Sequence, residues 1–189
     1  GFDSTIISVD ASFKDKPDSD DVAIAVVSTK GPKRYLRKLI VAKLGFTALV
    51  ERFKRVCEEF PEATAKLIED KANGAALMDV LKREIPGLVA IEPIGSKIAR
   101  AHACTLEMKT GFFLTPADEA AHPYMPFVID QFTNFPLGKN DDAVDAVTQV
   151  LNWLRMNGAD TIQQLLAAKK EAERVNFEAS QNAKEPKLN

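Results

Sequence analysis

The chain has 189 residues, 46% of them hydrophobic and 28% charged, with a formal net charge of −2. This mix is that of one soluble globular domain with room for a substantial core; no apolar run reaches the ~18 residues of a membrane-spanning helix. A near-neutral balance does not by itself mark a nucleic-acid binder, so any such role rests on a local basic stripe. Thr5 to Asp10 (TIISVD) reads as a short strand ending in an acid. Val22 to Thr29 (VAIAVVST) is a second strand, rich in β-branched residues. Lys30-Gly31-Pro32-Lys33 is a turn signal, and Arg34 to Val41 makes a third strand. Three such runs on short connections predict an antiparallel meander.

Phe46, Leu49, Val50, Phe53, Val56, Cys57 and Phe60 then recur at helical spacing, which predicts a helix over 46–60 stopped before Pro61. Ala65 to Asp70 (AKLIED) is a strand ending in two acids. Gly74 is expected to open a helix over Ala75 to Glu84, and Leu88 to Glu92 is a short strand. This strand–helix–strand unit calls for a parallel crossover. Helices are predicted over 97–109, 124–134, 141–155 and 159–174, with a brief extended piece at Phe112 to Leu114 and a polar tail after Val175. The order β-β-β-α-β-α-β followed by helices gives an α/β, RNase H-like arrangement. Its mixed sheet has five strands, three antiparallel and then two parallel, flanked by helices. Residues 1–157 form the domain, and 158–189 add a C-terminal helix and tail.

The two cysteines, Cys57 and Cys104, are too few and too widely spaced for a disulfide framework or a structural zinc site. They read as small buried hydrophobes of a reducing compartment. His102 and His122 lack metal-ligand spacing. The N-terminus shows no signal-peptide pattern. It also lacks an initiator Met, as expected of an excised domain or a processed product.

The acids carry the chemistry. Asp10 ends the first strand, and Glu69 and Asp70 end the fourth. Asp142 and Asp145 are three apart on one helix face, with Gln149 a turn further on. If strands one and four are neighbours, their acids leave the sheet at one edge, and a helix across that edge adds Asp142 and Asp145. Like charges so close repel by several kcal/mol at intermediate dielectric. Hard divalent cations with oxygen ligands, Mg²⁺ or Mn²⁺, relieve this, and a pair of ions suits an in-line phosphoryl displacement. Each acid also has a plainer reading: Asp10 as the cap of a turn, the others as helix N-terminal residues favoured by the dipole. Alternation along a strand allows only one of Glu69 and Asp70 to face the site, and the spacing to Gly74 favours Glu69. A basic stripe of Lys30, Lys33, Arg34, Arg37 and Lys38 is a candidate phosphate track, or a charged edge that blocks aggregation. Lys97 and Arg100 form a second DNA-binding candidate set.

Four segments resemble the nuclease domain of the large terminase subunits of tailed bacteriophages. They are Ile7-Ser8-Val9-Asp10; Leu67-Ile68-Glu69-Asp70-Lys71-Ala72-Asn73-Gly74; Lys97-Ile98-Ala99-Arg100-Ala101 with Gly111-Phe112-Phe113-Leu114-Thr115-Pro116; and Phe135-Pro136-Leu137-Gly138-Lys139-Asn140-Asp141-Asp142-Ala143-Val144-Asp145-Ala146. The last is the most specific, although Asn140 stands where the family usually has His. The resemblance spans about residues 5–156. It implies a metal-dependent endonuclease that cuts double-stranded viral DNA concatemers during genome packaging, with little sequence preference, in the host cytoplasm. It also implies an N-terminal ATPase partner domain, a portal and a small terminase subunit. The chain has no G-x-x-x-x-G-K-[ST] loop, so no ATP site of that kind is expected in it. The competing readings are a Holliday-junction resolvase or RNase H on the same metal core, and a non-catalytic portal-docking module.

Overall fold

The computed structural model describes residues 1–11, 21–70, 72–118 and 120–157, together with Lys170, Glu173 and Arg174. Six strands form one sheet: β1 (Ser4–Asp10), β2 (Val22–Lys30), β3 (Lys33–Ala42), β4 (Ala65–Glu69), β5 (Leu88–Ile91) and β6 (Phe113–Leu114). Their order is β5-β4-β1-β2-β3-β6. β1, β2 and β3 pair antiparallel, while β4 runs parallel to β1 and β5 parallel to β4. This is the RNase H-like arrangement. The expected sheet had five strands. The structure adds β6, which pairs in parallel with β3 through Arg34↔Phe113 and Tyr35↔Leu114. Two residues are too few to show a strand period, so the sequence shows only an extended piece there.

Among the described residues, helices α1 (Phe46–Glu59), α2 (Ala72–Leu81), α3 (Lys97–Lys109), α4 (Met125–Asn134) and α5 (Asp142–Met156) accompany the sheet. Strand alternation divides the apolar residues between two cores. On one face Ile7, Val9, Val22, Ile24 and Ile68 meet Leu49, Phe53 and Val56 of α1 and Leu77 and Leu81 of α2. On the other, Ile6, Ala23, Ala25, Ala65 and Leu67 meet Ala143, Ala146, Val147 and Val150 of α5. The small alanines on both sides let α5 lie close against β1 and β2. Each fully buried Ile, Leu or Val contributes roughly 1.5–3 kcal/mol of transfer free energy. The continuously buried β1 and β2 fit a strand pair covered on both faces.

One helix boundary departs from the sequence expectation in a way that bears on function. Gly74 does not open α2; it lies inside it. A Cβ placed there would stand 1.9 Å from the backbone oxygen of Glu69. The glycine therefore lets α2 approach the end of β4, a role that a boundary rule cannot reveal. The helix expected over 159–174 lies outside the described residues, except that Lys170, Glu173 and Arg174 are helical. Among the described residues no helix is long and apolar enough to cross a membrane.

Candidate active site

The acidic end of the sheet is set by register. Asp10 pairs with Ala23, whose side chain belongs to the α5-facing core, so Asp10 points to that face. β1 and β4 run in parallel with Ser8↔Leu67 and Val9↔Ile68. Continuing by one residue puts Asp10 beside Glu69 on neighbouring strands. Glu69 pairs with Ile91, which also packs on the α5 face. Asp70 lies one residue beyond the strand and is exposed, its backbone N–H bonded to the Ile91 carbonyl at 2.8 Å. Of the two adjacent acids, Glu69 is the one on the side of α5.

α5 brings two more carboxylates to that end, and both are buried: Asp142 is 8% and Asp145 9% exposed. They are not used as helix caps. Asp141, at the N-cap position, makes no side-chain cap hydrogen bond. The α5 N-terminus is bound instead from α4, where the Ala143 N–H donates to Gln131 Oε1 at 2.9 Å. Burial pushes the Asp142 carboxyl up to about 6, against a hydrogen bond from its own backbone; Asp10, Asp21 and Asp141 push it in the same direction. Of those neighbours, Asp141 stands in the last sequence motif beside Asp142, whereas Asp21 belongs to none of the motifs. Asp21 immediately precedes β2, two residues before the Ala23 that pairs with Asp10. The parity of an antiparallel pair was the signal that could have found it.

Asp145 has different surroundings. Lys97 Nζ lies 2.5 Å from its Oδ2, and Arg100 Nη2 donates to its Oδ1 at 3.4 Å. Lys97 also reaches Asp141 Oδ1 at 2.9 Å. The two cations are three residues apart on α3, hence on one helix face. Burial works against the Lys97 charge, yet its hydrogen bonds to Asp145 and Asp141 hold its pKa well above the usual lysine value. Burial raises Asp145, and Lys97 opposes that rise.

The donor chemistry at this end, carboxylates from β1, β4 and α5, fits a hard divalent cation. The side chains are not drawn together as a coordination shell: among the described residues no three His, Cys, Asp or Glu close on one point. The cations of α3 hold Asp145 in a bridge of their own.

The basic stripe lies elsewhere. Ser4 pairs with Thr29 and Lys30 with Lys33, so the β2–β3 turn is at the opposite end of β1 from Asp10. Six residues at ~3.3 Å each separate the two ends by roughly 20 Å. Lys30 and Lys33 are exposed there. Arg34 bonds to the Gly31 carbonyl, Arg37 lies over the Phe2 and Phe60 rings, and Lys38 pairs with Glu59. The structure thus brings Asp10, Glu69, Asp142 and Asp145 to one end with Lys97 and Arg100. It leaves Lys30, Lys33, Arg34, Arg37 and Lys38 apart from them.

The sequence matches no protein-family model and no curated protein. Solved structures do match. The human cytomegalovirus terminase nuclease domain aligns at TM-score 0.58 and 12% identity, over 80% of this chain and 85% of that one. The large terminase nuclease of thermophilic phage G20c, solved with bound zinc, aligns at TM-score 0.58 and 17% identity, over 77% and 78%. The same G20c nuclease has also been solved with bound magnesium. The large terminase of another thermophilic bacteriophage aligns at TM-score 0.63 and 10% identity, over 81% of this chain and 39% of that longer one. The chain has the RNase H-like fold of the terminase nuclease domains.

Proposed function

We propose that this chain is a metal-dependent endonuclease that cleaves double-stranded viral DNA during genome packaging. The observation that carries the reading is the burial of acids from β1, β4 and α5 at one sheet end, in a fold shared with terminase nucleases. Buried carboxylates set among like charges are costly without a function that uses them. Asp10, Glu69, Asp142 and Asp145 would hold the cation, Mg²⁺ or Mn²⁺, with two ions as the fuller expectation. The magnesium in the G20c neighbour supports that choice. When bound, a divalent cation would neutralise the carboxylates and polarise the phosphodiester and its attacking water.

The chain's own residues do the remainder. α5 and the parallel pair β1–β4 hold the four acids on rigid elements. Lys97 and Arg100 keep positive charge beside Asp145, where a phosphate oxygen would arrive. No aromatic ladder or base-reading motif is evident in the sequence, which agrees with cutting of little sequence preference. An ATPase domain would act upstream of this domain; the longer phage terminase, of which this chain spans 39%, has the length to carry one. The portal, a small terminase subunit and the host cytoplasm complete the proposal.

The test is digestion of supercoiled plasmid with Mg²⁺, Mn²⁺ or EDTA, by the wild type and by Asp10→Asn. Nicked and linear DNA should appear with Mn²⁺ and vanish with EDTA and in the variant. Four-way junctions and RNA–DNA hybrids run alongside; a clear preference for either would replace this reading by a resolvase or an RNase H.

A further inference from the structure

Two cations divide the Asp145 carboxylate between them. Lys97 Nζ lies 2.5 Å from Oδ2, and Arg100 Nη2 donates to Oδ1 at 3.4 Å. A divalent ion that uses Asp145 must therefore share an oxygen with a positive side chain or displace it. Sharing is unfavourable. An ion on the oxygen that Lys97 holds stands within a few ångströms of the ammonium, in a partly buried place where repulsion is weakly screened. Asp142 has the opposite surroundings: the neighbouring charges that act most on it are Asp10, Asp21 and Asp141, all of one sign. One helix turn thus separates a carboxylate set among acids from a carboxylate already matched by cations.

The two cations differ in how firmly they are placed. Arg100 is 18% exposed, and a second nitrogen of its guanidinium donates to the Gly95 carbonyl at 3.1 Å. Its planar fork is held on both sides. Lys97 is 45% exposed and opens α3, a point charge on a flexible four-carbon stem. It also has a second station, Asp141 Oδ1 at 2.9 Å. Side-chain rotation alone can carry its ammonium from Asp145 towards Asp141 or towards an anion arriving from solvent. The backbone beneath it is held elsewhere. The Ala99 N–H donates to Ser96 Oγ at 3.2 Å, and Asn152 and Arg155 of α5 donate to the Arg100 and Ala103 carbonyls, both at 3.0 Å.

We infer that Lys97 is a positioning residue that latches Asp145: it competes with a divalent ion for this carboxylate and releases it when a DNA phosphate offers the ammonium another anion. This rests on the metal-dependent endonuclease reading and adds to it the order in which the site is completed. An ion held by Asp142 and the acids around it needs no such release. An ion that uses Asp145 binds weakly to the chain alone and more tightly on DNA, so the site is complete only where there is a phosphate to cut. The coupling is reciprocal: ion and DNA each strengthen the binding of the other by the same factor.

The readout is Mn²⁺ binding by the full chain, followed through the electron paramagnetic resonance signal of the free ion. Wild type, Lys97→Met and Lys97→Gln are titrated alone and with a short duplex. Both variants keep the contacts of α3 with Ser96 and α5, and their melting temperatures confirm that they fold. The Mn²⁺ whose binding Asp145→Asn weakens marks the Asp145-dependent position. Without DNA, both Lys97 variants should bind that ion about tenfold more tightly than the wild type. On the duplex the difference should shrink towards one. In an Asp145→Asn background Lys97→Met should have no effect, whereas the mere loss of a nearby positive charge would strengthen Mn²⁺ binding there too. No ion weakened by Asp145→Asn, no gain in the Lys97 variants, a gain that survives Asp145→Asn, or a difference unchanged on DNA would each overturn the inference. All four leave the endonuclease reading standing, because Mn²⁺ still binds. Failure of every protein to bind Mn²⁺, alone or on DNA, with no plasmid cleavage, would remove both.

Discussion

The β1–β2 pair ends in two different ways. At the end beside the β2–β3 turn its buried polar groups satisfy one another: Ser4 Oγ and Thr29 Oγ1 are 2.9 Å apart, and Thr5 Oγ1 and Ser28 Oγ 2.8 Å. At the other end the buried polar groups are acids, and the largest influences on Asp142 after burial and its own backbone are Asp10, Asp21 and Asp141. The same two strands therefore hold a settled end and a frustrated end. A fold tolerates such frustration where the groups serve something other than stability. The contrast also separates two kinds of charge. The lysines of the β2–β3 hairpin are exposed or locally paired, whereas Lys97 and Arg100 stand against a buried carboxylate.

The sharpest way to break the contrast is to remove a charge at the frustrated end. Asp10→Asn and Asp145→Asn should each lower Mn²⁺-dependent plasmid cleavage by on the order of 10²–10³-fold. Retained cleavage in either variant would show that the acid cluster is not the catalytic centre. Next in size is Gly74→Ala. The added methyl has no room against the Glu69 carbonyl oxygen, so α2 must shift away from the end of β4. Overpacking of this kind costs about 1–3 kcal/mol or more, readable as a lower urea midpoint. Cleavage should fall with it, because Glu69 sits on the displaced backbone. An unchanged midpoint would mean that α2 accommodates the methyl freely.

Much of this was legible in the sequence. Strand-ending acids, the helical spacing of Asp142 and Asp145, and the order of strands and helices all follow from local periodicity. What local periodicity cannot show is register. The choice between Glu69 and Asp70 turned on which of them pairs with Ile91 on the α5 face. Gly74 looked like a helix boundary because its close neighbour, the Glu69 carbonyl, is distant in kind rather than in sequence: a strand end against a helix. Asp21 carries no signal of its own in the sequence, because it matters only through its pairing parity with β1. The placement of the basic stripe was within reach. In an antiparallel meander whose first strand ends in Asp10, the β2–β3 turn must fall at the opposite end. The three-residue spacing of Lys97 and Arg100 puts them on one helix face, but their attachment to Asp145 depends on how α3 packs on α5.

The frustrated end should also show in the pH dependence of stability. Asp142 is held up to about 6 against an ordinary 3.8. An acid whose pKa is raised by folding binds its proton more tightly in the folded chain. Its contribution is therefore most favourable below about pH 4, declines as pH rises towards about 6, and is flat above that. The decline is on the order of 1–3 kcal/mol. Urea melts at about pH 4.5 and pH 8 should show it, and Asp142→Asn should flatten the difference by that amount. Saturating Mg²⁺ should recover part of it at pH 8 if the carboxylates hold the ion. An identical pH slope in the wild type and the variant would place the strain on other groups.

The settled end makes the complementary, smallest prediction. Ser28→Ala leaves the Thr5 hydroxyl without its 2.8 Å partner and removes the oxygen to which Arg37 Nη1 donates at 3.3 Å. A buried hydroxyl deprived of its partner costs about 1 kcal/mol or somewhat more. The urea midpoint should therefore drop modestly, while cleavage and Mn²⁺ affinity stay at wild-type values, because ~20 Å of rigid strand separates this pair from the acids. Set beside the Asp10 variant, this separates the two ends of one pair of strands: substitution at the acidic end removes activity, and substitution at the other end lowers stability without removing activity. A fall in cleavage with Ser28→Ala under fully folded conditions would mean that the two ends are coupled through β1 and β2. In that case the hairpin lysines would regain a claim on the DNA.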